Sequence, residues 1–196
     1  ARKIPLDAGF TCPNRDGTLP GRGCLFCNPR GAGAGLGALG LTLREQWSYW
    51  REKLGKKDAA GFFLAYLQSF SNTHGPIERV AAALAQLRGL PGLAGLCLAT
   101  RPDCLPDETI ALLSSLNRIK PVWVELGLQT IHEDTARLIR RGYALSVFEE
   151  ALKKLKAAGL TVIVHVILGL PGESRERMTE TIAWLADRPI DGIKLQ

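Results

Sequence analysis

Aromatic side chains are scarce in this chain, 7% of 196 residues, and histidines number three. That scarcity weakens one reading of the net charge of +6. Modules that grip single-stranded nucleic acid interleave cations with stacking aromatics, and none of their aromatic-rich signatures occurs here. The basic residues instead form small groups: Lys53, Lys56, Lys57; Arg137, Arg140, Arg141; Lys153, Lys154, Lys156. These read first as solvated helix faces, with RNA as a weakly supported partner. Long apolar runs are also missing. The longest, Leu160 to Leu170, contains His165 and is too short to cross a bilayer, so no membrane is expected. No secretory signal leads the chain. It begins without Met and stops inside Gly192-Ile-Lys-Leu195, so a segment of a longer protein is expected.

Cysteine is present but unevenly spread. Of five, Cys12, Cys24 and Cys27 share one Gly/Pro-rich loop. That crowding favours metal ligation in a reducing cytosol over a disulfide framework. Three soft thiolates suit a metal centre, and three is an odd number for a closed one. A structural zinc wants four ligands, with His74, Cys97 or Cys104 as outside candidates. A four-iron cubane on three thiolates leaves one iron open to a ligand. Cys97 reads as a small core residue. Cys104 follows a strand end; it weighs equally as a structural residue and as the one catalytic candidate.

A 46% hydrophobic composition supports one core, and one domain over residues 1–196 is expected. Strands are expected at Lys3–Asp7, Gly61–Leu67, Gly95–Ala99, Val122–Leu126, Thr161–Leu168 and Gly192–Leu195, several apolar nearly throughout. Apolar residues at helical spacing fall between them: Ile77, Val80, Leu84 and Leu87; Phe148, Ala151, Leu152 and Leu155; Met178, Ile182 and Leu185. Thr42 with Glu45, Thr130 with Glu133 and Ser146 with Glu149 read as capping boxes, and Pro76 and Pro106 as first helical positions. Gly31–Gly40 reads as a mobile low-complexity loop. Repeated strand–helix units imply parallel strands, in an open partial barrel or a doubly wound sheet. In either, chemistry belongs at the carboxyl ends of the strands.

Those ends form a series. Cys12 follows the first strand, Gln68–Thr73 the second and Thr100–Cys104 the third. Glu125–Thr130 closes the fourth, and Gly169–Glu173 follows the fifth. Singly each is ordinary turn chemistry; together they line one rim and read as a ligand site. Glu125 stands out, because a carboxylate inside Val122-Trp-Val-Glu125-Leu needs a partner, either an internal cation or a ligand hydroxyl. His165 reads as a satisfied interior histidine.

In order along the chain, Leu6-Asp-Ala-Gly-Phe-Thr-Cys12-Pro-Asn-Arg-Asp-Gly-Thr18, Cys24-Leu-Phe-Cys27, Gln68 with Asn72-Thr73, Thr100-Arg-Pro-Asp-Cys104, Glu125-Leu-Gly-Leu-Gln-Thr130, Arg141-Gly142 and Gly169-Leu-Pro-Gly-Glu173 resemble the radical S-adenosylmethionine (SAM) superfamily, specifically its YhcC-like subfamily. The radical domain of the Elongator catalytic subunit is a more distant likeness. The resemblance implies an α/β fold, a partial (β/α)6 barrel of parallel strands with outer helices. It implies a [4Fe-4S] cluster on Cys12, Cys24 and Cys27, with SAM on the open iron. Phe26 and the Gly169, Pro171, Gly172 turn would lie near the adenine. Gln68, Ser71, Asn72 and Thr73 would approach the methionine end. Glu125 and Gln129 would contact the ribose, and Arg101 or Arg141 the methionine carboxylate. A flavodoxin or ferredoxin would supply electrons, and the substrate would be an RNA or a small metabolite. The chain departs from the superfamily's common Cys-x3-Cys-x2-Cys by a long insertion between the first two cysteines, as the subfamily does. Two other readings stay open at this point: a zinc-stapled nucleic-acid-binding module, and a non-catalytic iron–sulfur protein.

Overall fold

The computed structural model describes residues 2–20, 23–28, 36–55 and 61–196. Strands β1 (Arg2–Leu6), β2 (Phe63–Leu67), β3 (Leu93–Thr100), β4 (Val122–Gln129), β5 (Thr161–Val166) and β6 (Gly192–Leu195) alternate with helices α1 (Leu43–Gly55), α2 (Ile77–Arg88), α3 (Asp107–Asn117), α4 (Glu133–Leu138), α5 (Leu145–Ala157) and α6 (Arg175–Ala186). All neighbouring strands are parallel, in the order β1-β2-β3-β4-β5-β6. A doubly wound sheet reverses direction at a switch point, and this order never reverses. Crossovers of one hand then keep every helix on one face. The result is a half-barrel of six strands with its helices outside.

Alternation along the strands sorts side chains between two faces. Ile4, Leu67, Leu98, Val124, Leu126 and Val164 join the outer core with helix residues such as Leu84, Leu113, Phe148, Leu155 and Leu185. Leu64, Tyr66, Cys97 and Ala99 form a smaller cluster on the inner face, with Trp123 packed against it. The curl of the sheet is visible in one contact. Lys194 on edge strand β6 lies 2.8 Å from the hydroxyl of Tyr66 on β2. Four strand spacings of about 4.8 Å would hold these strands roughly 19 Å apart in a flat sheet. Only a concave face brings the two side chains together.

Thr42 and Glu45 do form the expected box: the Thr42 N–H donates to Glu45 Oε2 at 2.8 Å, and the Glu45 N–H to Thr42 Oγ1 at 3.3 Å. The other two boxes do not form. Helix α4 starts at Glu133, whose Oε1 accepts the Leu145 N–H and faces Arg141. Helix α5 starts at Leu145 behind Ala144, leaving Ser146 inside it. In both, tertiary partners outcompete the local cap. Ser174 caps α6 instead, accepting from the Arg177 N–H at 3.4 Å. Pro76 and Pro106 stand one residue earlier than expected, at the N-caps. Of the Gly31–Gly40 loop, residues 31–35 lie outside the described residues. Gly37–Leu39 forms a short 3-10 turn, ended by Gly40 at φ +77°.

Phe148 is fully buried between sheet and helix α6, with Trp184 at 6.1 Å. Phe148→Ala is expected to cost about 3–5 kcal/mol in urea unfolding. Ile119→Ala, at a position 61% exposed, should stay within about 0.5 kcal/mol. Equal costs would contradict the assigned outer core.

Candidate metal centre and cofactor cavity

The loops after β1 to β4, with His165 of β5 and Gln196, surround a cavity of about 260 Å³ at the carboxyl ends of the strands. Cys12, Cys24 and Cys27 line it together with Phe26, Gln68, Ser71, Arg101, Glu125, Gln129 and Arg141. Thus three residues far apart in sequence from the cysteine loop, Gln68, Glu125 and Arg141, reach the same space as the thiols.

Asn14 holds the cysteine loop in place. Its Nδ2 donates to Cys24 Sγ at 3.2 Å, to the Arg140 carbonyl at 2.8 Å and to the Arg141 carbonyl at 3.1 Å. The turn opposite must be Gly142: φ is +83°, and an added Cβ would stand 2.7 Å from Asn14 Oδ1. The Cys27 thiol donates to Cys24 and draws the Cys24 pKa down to about 6; burial opposes this, while Asn14, Arg101 and Arg15 assist. The same hydrogen bond and burial push Cys27 up. A donor set of soft thiols beside two guanidinium groups suits an anionic metal–thiolate centre.

A single ion with a closed shell suits the site less well. Among the described residues, no three His, Cys, Asp or Glu side chains stand together at single-ion spacing. His74 is engaged with Asp16 at 2.7 Å, and Cys97 is fully buried in the inner cluster. A four-iron cubane takes three thiolates and leaves one iron for a further ligand.

The remaining rim residues divide into those facing the cavity and those bracing it. Asn72 donates to the Leu67 and Ala99 carbonyls at 3.0 and 2.9 Å, and Thr73 binds Thr100 Oγ1 and the Cys104 carbonyl. Both tie the β2–α2 loop down outside the cavity lining. Arg101 makes a bidentate pair with Asp103 at 2.9 and 2.6 Å and donates to the Arg141 carbonyl. Arg141 is 1% exposed and spends its guanidinium on the Leu128, Thr130 and Tyr143 carbonyls and on Glu133. Both guanidiniums are thus largely engaged by protein acceptors at the cavity edge, and both pack 4.8 Å from the Tyr143 ring. Cys104 is buried outside the cavity lining, its thiol pushed up to about 12 by that burial. Gly169, Pro171 and Gly172 sit in an exposed turn after β5, also outside the lining.

Glu125 lines the cavity, yet its partners come from the protein. Its carboxylate accepts from Tyr66 at 2.6 Å, His165 at 2.6 Å, Lys194 at 3.5 Å and Lys3. Burial pushes this carboxyl up; the bonds from His165, Lys3 and Tyr66 outweigh burial and hold it well below the usual range. His165 is therefore a satisfied interior histidine that also faces the cavity.

Sequence reasoning passed over Asn14, Phe70 and Tyr143. Phe70 lines the cavity at φ +61°, and Gln129 does so at φ +66°. Left-handed backbone at non-glycine residues is held only by its surroundings, and it clusters at functional sites. The Gln129 case has a visible source: the β4–β5 register shifts between Gly127 and Gln129. A Cβ at Gly127 would meet Gln129 Nε2 at 2.9 Å and Tyr143 Oη at 3.2 Å, so glycine there lets both pack.

A profile of the Radical SAM superfamily matches residues 17–185, a span that includes Cys24 and Cys27 and starts just after Cys12. The chain is 42% identical over 193 residues to the uncharacterized protein YtqA of Bacillus subtilis (strain 168), covering 98% of this chain and 60% of that one. It is 34% identical over 194 residues to protein YhcC of Escherichia coli (strain K12), covering 98% and 62%. The chain thus spans about three-fifths of the length of these curated relatives. Among solved structures, the archaeal Elp3 of Methanocaldococcus infernus with an N-terminal deletion shares the fold. Its TM-score is 0.70 at 20% identity, covering 100% of this chain and 45% of that one. Matched by the family profile over most of its length, this chain belongs to the radical SAM superfamily of enzymes.

Proposed function

We propose that Cys12, Cys24 and Cys27 hold a [4Fe-4S] cluster with SAM beside it. On this reading the chain is the catalytic core of an oxidoreductase-type radical enzyme acting on an RNA or a small metabolite. The observation that carries the reading is the convergence of the three thiols and the strand-end residues on one cavity. When bound, the cluster and SAM supply reductive cleavage of the sulfonium and a hydrogen-abstracting radical.

The chain's own residues hold and orient. Arg15 and Arg101 offset the thiolate charge, and Asn14 fixes Cys24 by its N–H to sulfur bond. Phe26 offers a face to the adenine. Gln68 and Ser71 address the methionine end, and Gln129 the ribose. Asn72, Thr73, Arg101 and Arg141 brace the loops that carry these contacts. Glu125 braces the lumen. A reduced flavodoxin or ferredoxin in the cytosol is the proposed electron donor. Among the described residues, no helix is long and apolar enough to cross a membrane.

Anaerobic reconstitution tests the cluster assignment. Iron and sulfide should bind with broad visible absorption, and dithionite with SAM should yield 5′-deoxyadenosine. Cys12→Ala, Cys24→Ala and Cys27→Ala should each abolish the absorption, whereas Cys97→Ala should keep it. An intact cluster in Cys12→Ala, or zinc in place of iron, would overturn the reading.

The thiols also separate by ionisation in the metal-free chain. Thiolates, not thiols, react with iodoacetamide. At pH 8, Cys24, with its pKa drawn down to about 6, is mostly thiolate. Cys97 and Cys104, pushed up to about 12 by burial, are ionised to roughly one part in ten thousand. Peptide mapping should find Cys24 alkylated and Cys97 and Cys104 intact. Equal labelling of Cys97 in the folded chain would contradict this placement.

A further inference from the structure

The radical chemistry leaves one group of charged residues unused. Beneath the cysteine cavity, Lys3 from β1, Tyr66 from β2, His165 from β5 and Lys194 from β6 close around Glu125 of β4. Strand alternation and register make Lys3, Glu125, His165 and Lys194 the inward-facing acidic and basic residues of the six strands. Two ammonium groups therefore meet one carboxylate, an excess of one positive charge before His165 is counted.

Both lysines stay within reach of solvent. The Lys3 side chain is 33% exposed and that of Lys194 is 31%, against 0% for Glu125. An ammonium carries three donors. Lys194 donates to Tyr66 at 2.8 Å, but its contact with Glu125, at 3.5 Å, is at the limit of a hydrogen bond. Aromatic walls flank both cations: Lys3 lies 4.8 Å from the Tyr66 ring and 5.9 Å from the Trp123 ring, and Lys194 lies 5.0 Å from the Tyr66 ring. The ring faces attract the ammonium groups and hold them in place in the lumen. Glu125 and His165 line the same cavity as the three cysteines, and the two lysines stand behind them, outside that lining.

We infer that Lys3 and Lys194, gathered around Glu125 in the half-barrel lumen, seat an anionic group of the substrate, a carboxylate or a phosphate. This rests on the reading of the cavity as the reaction compartment. Glu125 draws the two ammonium groups inward from opposite sheet edges and leaves one charge for the ligand. The seat anchors one end of the substrate and leaves its other end toward the cysteine loop. A neutral or cationic substrate gains nothing from it, so the lumen selects by charge.

Trace acetylation of lysines, mapped by mass spectrometry on the metal-free chain, tests the seat. Ionic strength is held constant with chloride, and inorganic phosphate and succinate are titrated in separate arms. At least one anion should slow acetylation of Lys3 and Lys194 severalfold, while the exposed Lys153 keeps its rate. The arm that protects names the group. Lys194→Gln should weaken protection of Lys3 about tenfold, as loss of a charge-assisted bond does. Glu125→Gln, which removes the competing carboxylate, should tighten it. Circular dichroism confirms that each variant folds, and Lys3→Gln, read at Lys194, replaces any that does not. No protection by either anion, or protection unchanged in the lysine variants, would overturn the inference. No cluster or SAM is present, so failure here leaves the radical reading standing, and failed reconstitution leaves this result readable.

Discussion

A single buried carboxylate organises the inside of this protein. Glu125 is 1% exposed on a central strand, where an ionised group without partners would cost several kcal/mol. It is satisfied by donors from four other strands, including both edges of the sheet. Such an arrangement exists only if the sheet is curled. The curl in turn turns the strands' carboxyl ends toward one another, so that loops far apart in sequence face a common space. Outer-face packing of Val, Leu and Phe side chains supplies the bulk of the stability. The Glu125 contacts determine which concave shape that packing stabilises.

The rim shows the same division of labour between holding and facing. Arg101 and Arg141 look like ligand-binding cations in the sequence, but their fixed forks are used on carbonyls and on Asp103 and Glu133. They convert the β3 and β4 loop ends into a rigid platform around Tyr143. Asn14 then docks the cysteine loop onto that platform through the Arg140 and Arg141 carbonyls. The loop carrying Cys12, Cys24 and Cys27 is thereby fixed by neutral hydrogen bonds to the backbone. The left-handed backbone of Phe70 and Gln129 marks where this platform meets the cavity.

The strands were legible because parallel strands covered on both faces are written as apolar runs: Phe63–Leu67 is buried at every position. Ends were less so, and β4 runs three residues past its expected limit because the pairing continues through a bulge near Gly127. Capping boxes were ambiguous for a physical reason. Thr130 and Glu133 have the right spacing, but Glu133 finds a guanidinium and a distant amide instead. At the site, the cysteines and the strand-end rim were legible from chemistry and period. The partners of Glu125 were not, since Lys3 and Lys194 lie 122 and 69 residues away in sequence. Gly169, Pro171 and Gly172, with the composition of a ligand loop, lie in an exposed turn around the buried Leu170.

The central claim is that the cysteine loop and the strand-end cavity together make one cluster-and-SAM site. Electron paramagnetic resonance of the anaerobically reconstituted, dithionite-reduced chain tests it most directly, with spectra recorded before and after adding SAM. The account predicts a [4Fe-4S]+ signal whose shape changes when SAM binds the open iron. A signal that SAM leaves unaltered would contradict it.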